Sequence, residues 1–398
     1  MGVLAACGSG PADDAAPPVL SWYVGPDRLD AAVLAETCTD QADGQYSIEV
    51  EQLPADVSAR HALLVRRLLA DDTTMDLLSL DTAFTAEFAA AGFLAPVPAA
   101  QAAAFSEGIA PIALAAATHD ERLIAVPWFL DPQVLWYRGN LAERAGLDTS
   151  KPISWDDLIA GAQRLGVTVQ IEDRDGSGLV EWVNALVTGG GGAIVGAEGR
   201  SAEVGLDSDA GRAAAAVIEF YDEAGVGPGP SPDALTGFAG ADGGFLIAST
   251  SAIADPTLAT VQADMVATAY PVVGNASVAP LAGAALAVPA RAPERETSFA
   301  AIGCLTSPPV LQQLMSGPQH SAARLTTYDD PGVKAAFRGG DVARNAVAGG
   351  VTAPATPLWS VVADALVETW SPVADVTQAA TPDASQPEVE AAVEGRIR

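Results

Sequence analysis

One stretch limits the fold more than any other: Val126-Pro127-Trp128-Phe129-Leu130-Asp131-Pro132-Gln133-Val134-Leu135-Trp136-Tyr137-Arg138. Pro127 fixes the entry of the chain, and the run through Val134 and Trp136 has the β-branched and aromatic character of a buried strand. A polar, helix-like segment, residues 139–147, follows it. No histidine, cysteine or lysine stands close to Asp131 in sequence, so the stretch carries no catalytic signature. It reads as a strand crossing between two lobes, with Asp131 facing the cleft between them.

The segments before it alternate. Residues 19–24 predict a strand broken at Gly25-Pro26, residues 30–40 a helix, and residues 47–51 an alternating strand. A helix over 58–70, with Leu63, Leu64, Leu68 and Leu69 on one face, leads to a short strand, 75–81, ending in a carboxylate. A helix over 85–91 stops at Gly92. This β-α-β-α-β-α order predicts an α/β fold with a sheet of mainly parallel strands. Ligands of such sheets collect at the carboxyl ends of the strands, where Asp81 sits; Asp81 also reads as an N-cap.

After the crossing stretch, Ser154 and Asp157 predict a capping box. Strands are expected over 167–171 and 245–248, and helices over 208–224 and 255–265. The chain then returns as a strand over 285–289 and a helix over 294–305 that contains Cys304. With 398 residues there is room for two domains, each with its own core.

Composition narrows the partners. A net charge of −30 repels nucleic acid and anionic lipid surfaces alike, so neither is an expected partner. No apolar run reaches the roughly 18 residues of a membrane-spanning helix. Val3-Leu4-Ala5-Ala6-Cys7 reads as the end of a lipoprotein signal, with Cys7 the lipidated residue and residues 8–18 a flexible tether. That address is extracytoplasmic, anchored to the outer face of the cell membrane. Cys38 and Cys304 show neither CxxC spacing nor a histidine partner, so a metal site is not expected; in an oxidising compartment a disulfide between them is the natural hypothesis.

Other motifs fall short of chemistry. Asp173-Arg174-Asp175-Gly176-Ser177-Gly178 matches the opening of a calcium loop, but position 12 is Asn184, which lacks the bidentate carboxylate. The glycine-rich run over 237–244 lacks the Lys-Ser/Thr of a phosphate loop, and His61, His119 and His320 are isolated. No cofactor is implied. Asp81 and Asp131 form the best paired-carboxylate reading, that of a glycoside hydrolase. Tryptophans fall near strand ends and lobe joints: Trp22, Trp128, Trp136, Trp182 and Trp359. A tryptophan face stacks on a sugar ring while carboxylates bind its hydroxyls. Packing is expected for Trp136 and Trp155, and cleft positions for Trp22, Trp128 and Trp359.

Several of these segments together resemble the extracellular solute-binding proteins of bacterial ABC importers, in the carbohydrate branch that includes the maltose binders. They are Asp76-Leu77-Leu78-Ser79-Leu80-Asp81 with Thr85-Ala86-Glu87-Phe88, Leu135-Trp136-Tyr137-Arg138, Ser154-Trp155-Asp156, Tyr328-Asp329-Asp330-Pro331 and Pro354-Ala355-Thr356-Pro357. The strongest likeness is to the trehalose-binding lipoproteins of high-GC Gram-positive bacteria. The resemblance implies two α/β lobes, one of residues 19–130 plus 283–331 and the other of 132–282 plus 332–398. They would close by hinge motion on a carbohydrate and deliver it to a membrane permease, as a monomer and without catalysis. It supports pairing Cys38 with Cys304, places Asp81 and Asp131 among hydroxyl-binding groups, and matches Trp359 to a stacking aromatic.

This sequence departs from that likeness at Asp131, at Gly176-Ser177, at Ile247 with Ser249-Thr250, and at Ala353. Each departure replaces a charged or amide partner or alters one. A charged hydrogen bond is worth about 1.5–3 kcal/mol, so the expectation shifts from trehalose itself toward a related disaccharide, another glycan or a glycolipid. A binding-like scaffold without ligand is the remaining reading.

Overall fold

The computed structural model describes residues 16–26, 28–196, 200–274 and 276–396; Cys7 lies outside them. The strands are β1 (Val19–Val24), β2 (Ser47–Gln52), β3 (Leu77–Asp81), β4 (Thr118–His119), β5 (Arg122–Leu123), β6 (Val126–Arg138), β7 (Thr168–Glu172), β8 (Pro230–Ser231), β9 (Gly243–Ser249), β10 (Met265–Thr268) and β11 (Leu281–Ala287). All but β4 and β5 join one sheet, ordered β2-β1-β3-β11-β6-β9-β7-β8, with β10 also on β6. The protein is two-lobed and α/β. Pairing is parallel in the outer part of each lobe, β1 with β2 and β3, and β7 with β8 and β9. It turns antiparallel where β11 meets β3 and where β6 meets β11, β9 and β10.

The expected crossing strand is β6, thirteen residues of which twelve are buried. Its N-terminal half pairs with β11 as far as Pro132, opposite Leu281; from Gln133, opposite Ser249, it pairs with β9. Proline has no N–H to give a ladder, and Pro132 stands at the handover between partners. Pro127 adjoins a register shift against β11, between Ala284 and Ala285. The two prolines thus fall where pairing breaks or changes hands, which lets a proline-containing run be a central strand.

Each lobe has apolar clusters on its part of the sheet. Leu20, Trp22, Cys38, Leu77, Trp128, Phe129, Leu286 and Leu305 pack together in the first, and Leu135, Trp155, Trp182, Phe245, Ile247, Trp359 and Trp370 in the second. Val333, Phe337 and Ala343 pack into the first-lobe cluster, beyond the position 331 at which the sequence reading returned the chain to the second lobe. The capping box forms: Ser154 Oγ accepts from Asp157 N at 3.0 Å and donates to its carboxylate at 2.8 Å. The helix expected over 255–265 is instead two 3-10 turns, Pro256–Leu258 and Gln262–Asp264, leading into β10. Asp255 accepts from Thr257 N and Pro256 follows it, a turn opening that no longer helix extends.

Cys38 and Cys304 form a disulfide across 266 positions. It ties the helix Ala31–Gln41 to the helix Arg295–Leu305, so the late segment is held beside the first-lobe strands.

Candidate functional site

Between the lobes lies a cavity of about 450 Å³. The first lobe supplies Val57, His61, Asp81, Thr82 and Phe84; the second supplies Arg174 to Ser177, Val180, Glu181, Asn184, Val351, Ala353 and one face of the helix Trp359–Trp370. The floor is the start of β11, Pro280 to Gly283, beside the crossing strand. Carboxyl ends of parallel strands, β3 and β7, therefore point at the cavity, as such sheets require.

Asp81 lines the cavity at the end of β3. Its side chain caps no helix; the alternative reading as an N-cap is not realised. It accepts instead from Arg60 Nε at 2.7 Å. Arg60 is 4% exposed and sits in the stripe of buried residues Arg60, Leu64 and Leu68 on the helix Val57–Leu69. Its guanidinium also donates to Asp175 of the second lobe at 3.2 Å and to the carbonyls of Pro54 and Ala55. Val57 N donates to Asp175 O at 3.2 Å, so the second-lobe turn is fastened to the first lobe by backbone as well as charge. A second bridge joins the lobes at Arg28, which donates to Glu172 at 2.6 Å and to Asp255 at 3.1 Å.

That turn is the calcium-like segment, and its carboxylates are otherwise engaged. Asp173 accepts from the backbone N–H groups of Gly176 and Gly178, and Asp175 from Ser177 N as well as from Arg60. Among the described residues no three His, Cys, Asp or Glu side chains are grouped to hold a metal. Gly178 follows the turn at the start of a helix, where a Cβ would lie within 3.0 Å of Asp173 and Glu172.

Glu181 is a site residue that the sequence reading missed. It accepts from Ser177 Oγ at 2.8 Å and Gln133 Nε2 at 3.0 Å. Burial, then the nearby charge of Asp175, pushes its carboxyl up to about 7. A carboxyl poised there can donate to a ligand oxygen or accept from a hydroxyl. Its signal in sequence was a lone acid in the mostly apolar helix Gly178–Gly189.

Asp131 does not line this cavity. It is 1% exposed, and a small hollow beside it is shared with Gln133, Glu172, Arg174 and Glu181. One carboxylate oxygen lies 2.6 Å from His320 Nδ1 and the other accepts from Ser321 N at 2.8 Å. Burial alone would raise its carboxyl, but the charge and hydrogen bond of His320 outweigh burial and hold it below the usual range. Ser321 Oγ in turn lies 2.8 Å from Thr250 Oγ1, just past β9. Asp131, expected to accept ligand hydroxyls from an open cleft, is instead buried beside a small hollow, and each of its oxygens takes part in a tie across the lobe crossing.

The tryptophans divide. Trp22 and Trp128 are fully buried, donate to Ser79 Oγ and Leu305 O, and pack edge to face at 5.6 Å. Their expected cleft positions are corrected: they belong to the first-lobe core. Trp359 is on the cavity wall, though only 6% exposed. Of the departures from the trehalose-binding pattern, Ser177 and Ala353 line the cavity, whereas Ile247 is in the second-lobe core.

A family model described as bacterial extracellular solute-binding protein matches residues 36–312. The chain belongs to that family. A Deinococcus radiodurans protein described as a probable ABC transporter-binding protein is 26% identical over 170 residues, spanning 39% of this chain and 39% of that relative. The fold is similar to maltose-bound MalE3 of T. maritima, with TM-score 0.80, 22% identity, and 94% of this chain and 99% of that chain covered. It is also similar to the GacH receptor of Streptomyces glaucescens, solved unliganded and with acarbose. There the TM-score is 0.79 at 19% identity, covering 96% of this chain and 98% of that one.

Proposed function

We propose that this solute-binding protein captures a carbohydrate in the interlobe cavity and passes it to the permease of an ABC importer, without chemistry of its own. The observation that carries the reading is the cavity itself: about 450 Å³, walled by both lobes and floored by the strands that join them. That size suits a small-molecule site, and closure of two lobes around it sequesters the ligand. Asp81, Glu181, Asn184 and Ser177 supply acceptors and donors for hydroxyls, and Trp359 supplies an apolar face. The relatives add support: one is described as ABC transporter-binding, and two structural neighbours were solved with maltose or acarbose.

The hydrolase reading fares worse, because Asp131 is 1% exposed and tied to His320 and Ser321, while Asp81 is held by Arg60. Attachment through a lipidated Cys7 completes the proposal; mass spectrometry of the protein from a native membrane fraction checks it. The central test is a thermal-shift screen against mono- and disaccharides, trehalose and maltose included. A ligand at 100 times its dissociation constant adds about 2.7 kcal/mol. Binding that is weakened by Asp81→Ala and by Trp359→Ala is the expected result. A protein that no carbohydrate stabilises, or one that turns over a glycoside, would refute the proposal.

A further inference from the structure

The acids at the lobe junction are matched to cations, with two exceptions. Of those lining the cavity or the small hollow beside it, Asp81 and Asp175 share Arg60, Glu172 pairs with Arg28, and Asp131 lies against His320. Glu181 and Asp364, which also line the cavity, have no ion-pair partner among the described residues. Asp364 is exposed on the helix Trp359–Trp370, whereas Glu181 is partly buried against the neutral donors Ser177 Oγ and Gln133 Nε2. Burial and then the charge of Asp175 push the Glu181 carboxyl up to about 7; Asp173 adds to this, and the single charge of Arg174, which also acts on Asp131, does not offset it. The buried phenol of Tyr270 is a further titratable neighbour.

A second observation falls at the same place. Gln133, 6% exposed on the crossing strand, gives its amide N–H to Glu181 and leaves Oε1 buried without a partner. It lines the small hollow, and Arg174, Asp175, Ser177 and Glu181 line both hollow and cavity, so the two spaces adjoin at Glu181. What stands open there is a pair of acceptors in want of donors, and a buried acceptor left unmade is costly. A sugar hydroxyl brings one donor together with lone pairs that need partners of their own. An ammonium brings three donors, no acceptor, and the missing positive charge.

Building on the carbohydrate reading above, we infer that the ligand is an amino sugar whose protonated amine is held by the Glu181 carboxylate and Gln133 Oε1. Its hydroxyls remain for Asp81, Ser177 and Asn184 on the surrounding wall. A uronate or a sugar phosphate is disfavoured, because an anion brought to Arg174 would also meet Asp175, Glu181 and Glu172. The net charge of −30 draws cations toward the molecule and repels anions in the same sense.

The test is calorimetric titration near neutral pH of three matched sets: glucose, glucosamine and N-acetylglucosamine; cellobiose, the glucosamine dimer and its diacetyl form; trehalose, trehalosamine and N-acetyltrehalosamine. At least one amine is expected to bind about tenfold or more tighter than its hydroxyl parent, the scale of a charged hydrogen bond, while its neutral acetyl form gains nothing. Glu181→Gln should bring the ratio of amine to parent close to one. Glu368→Gln, which removes a charge from the helix Trp359–Trp370 outside the cavity, should leave the ratio intact. Titrations in buffers of different ionisation heat should show that the amine displaces a proton from the wild type that it does not displace from Glu181→Gln. Equal affinity for parent and amine would overturn the amino sugar while sparing the carbohydrate reading. An amine advantage untouched by Glu181→Gln, or lost equally in Glu368→Gln, would overturn the seat at Glu181. If neither parent sugars nor amines bind, both readings fall together.

Discussion

Removing the carboxylate of Asp131 tests the crossing directly. In the native fold this group and His320 are sealed from solvent, 2.6 Å apart, and Ser321 N donates to the other oxygen at 2.8 Å. Asp131→Ala deletes both contacts and leaves His320 Nδ1 and Ser321 N buried without the carboxylate that faced them. Breaking one side of a buried pair typically costs about 3–5 kcal/mol, well above the usual effect of a point substitution. The assay is urea unfolding followed by tryptophan fluorescence, with the midpoint shift read at unchanged slope. His320→Leu and the double variant complete a cycle, and a coupling energy above about 1.5 kcal/mol is expected. Because the Asp131 carboxyl is held below its ordinary value, its contribution is present above the unfolded pKa of about 3.9 and fades as pH falls through the depressed native value. Asp131→Asn should therefore narrow the stability gap to wild type only on the acid side. A loss under about 1 kcal/mol for Asp131→Ala, or no coupling to His320, would show that the tie is not what holds the crossing.

Glu181 runs the other way. Its native carboxyl is raised from 4.5 to about 7, so the stability it confers is present below its unfolded value and is lost as pH rises through about 7. Thermal unfolding between pH 5 and 8 should show wild type losing up to about 3 kcal/mol relative to Glu181→Gln; parallel curves would contradict this. Arg60→Ala should destabilise by about 3–5 kcal/mol and shift small-angle scattering toward a more open molecule, since it unpairs Asp81 and Asp175 from the residue that joins them; an unchanged radius of gyration would argue that the backbone contact at Val57 suffices. Replacing Cys38 and Cys304 by serine should lower stability by about 3–5 kcal/mol, as expected for a very long closed loop; equal unfolding midpoints would show that packing alone holds the two helices together.

Much of the frame was legible because local patterns and the sheet agree. The strands Val19–Val24, Ser47–Gln52 and Leu77–Asp81 and the helices between them follow from alternation, apolar stripes and caps, which act over a few residues. The buried cation of the cleft also left a trace: Arg60 shares a stripe with Leu64 and Leu68, a position where an unpaired charge would be untenable. Residue type misled for the tryptophans. Position near a strand end does not say which side of the sheet a ring takes, and Trp22 and Trp128 went inward, where each indole N–H found an acceptor.

The crossing stretch marks the division most clearly. Its sequence determined a long buried strand, with prolines confined to where pairing changes and a carboxylate at its centre. What that carboxylate does was decided by His320 and Ser321, nearly 190 positions away, because a buried charge is governed by whatever partner the tertiary fold delivers. The same holds for the cavity: local sequence made its walls apolar or polar, but only the meeting of two lobes gave them an inside.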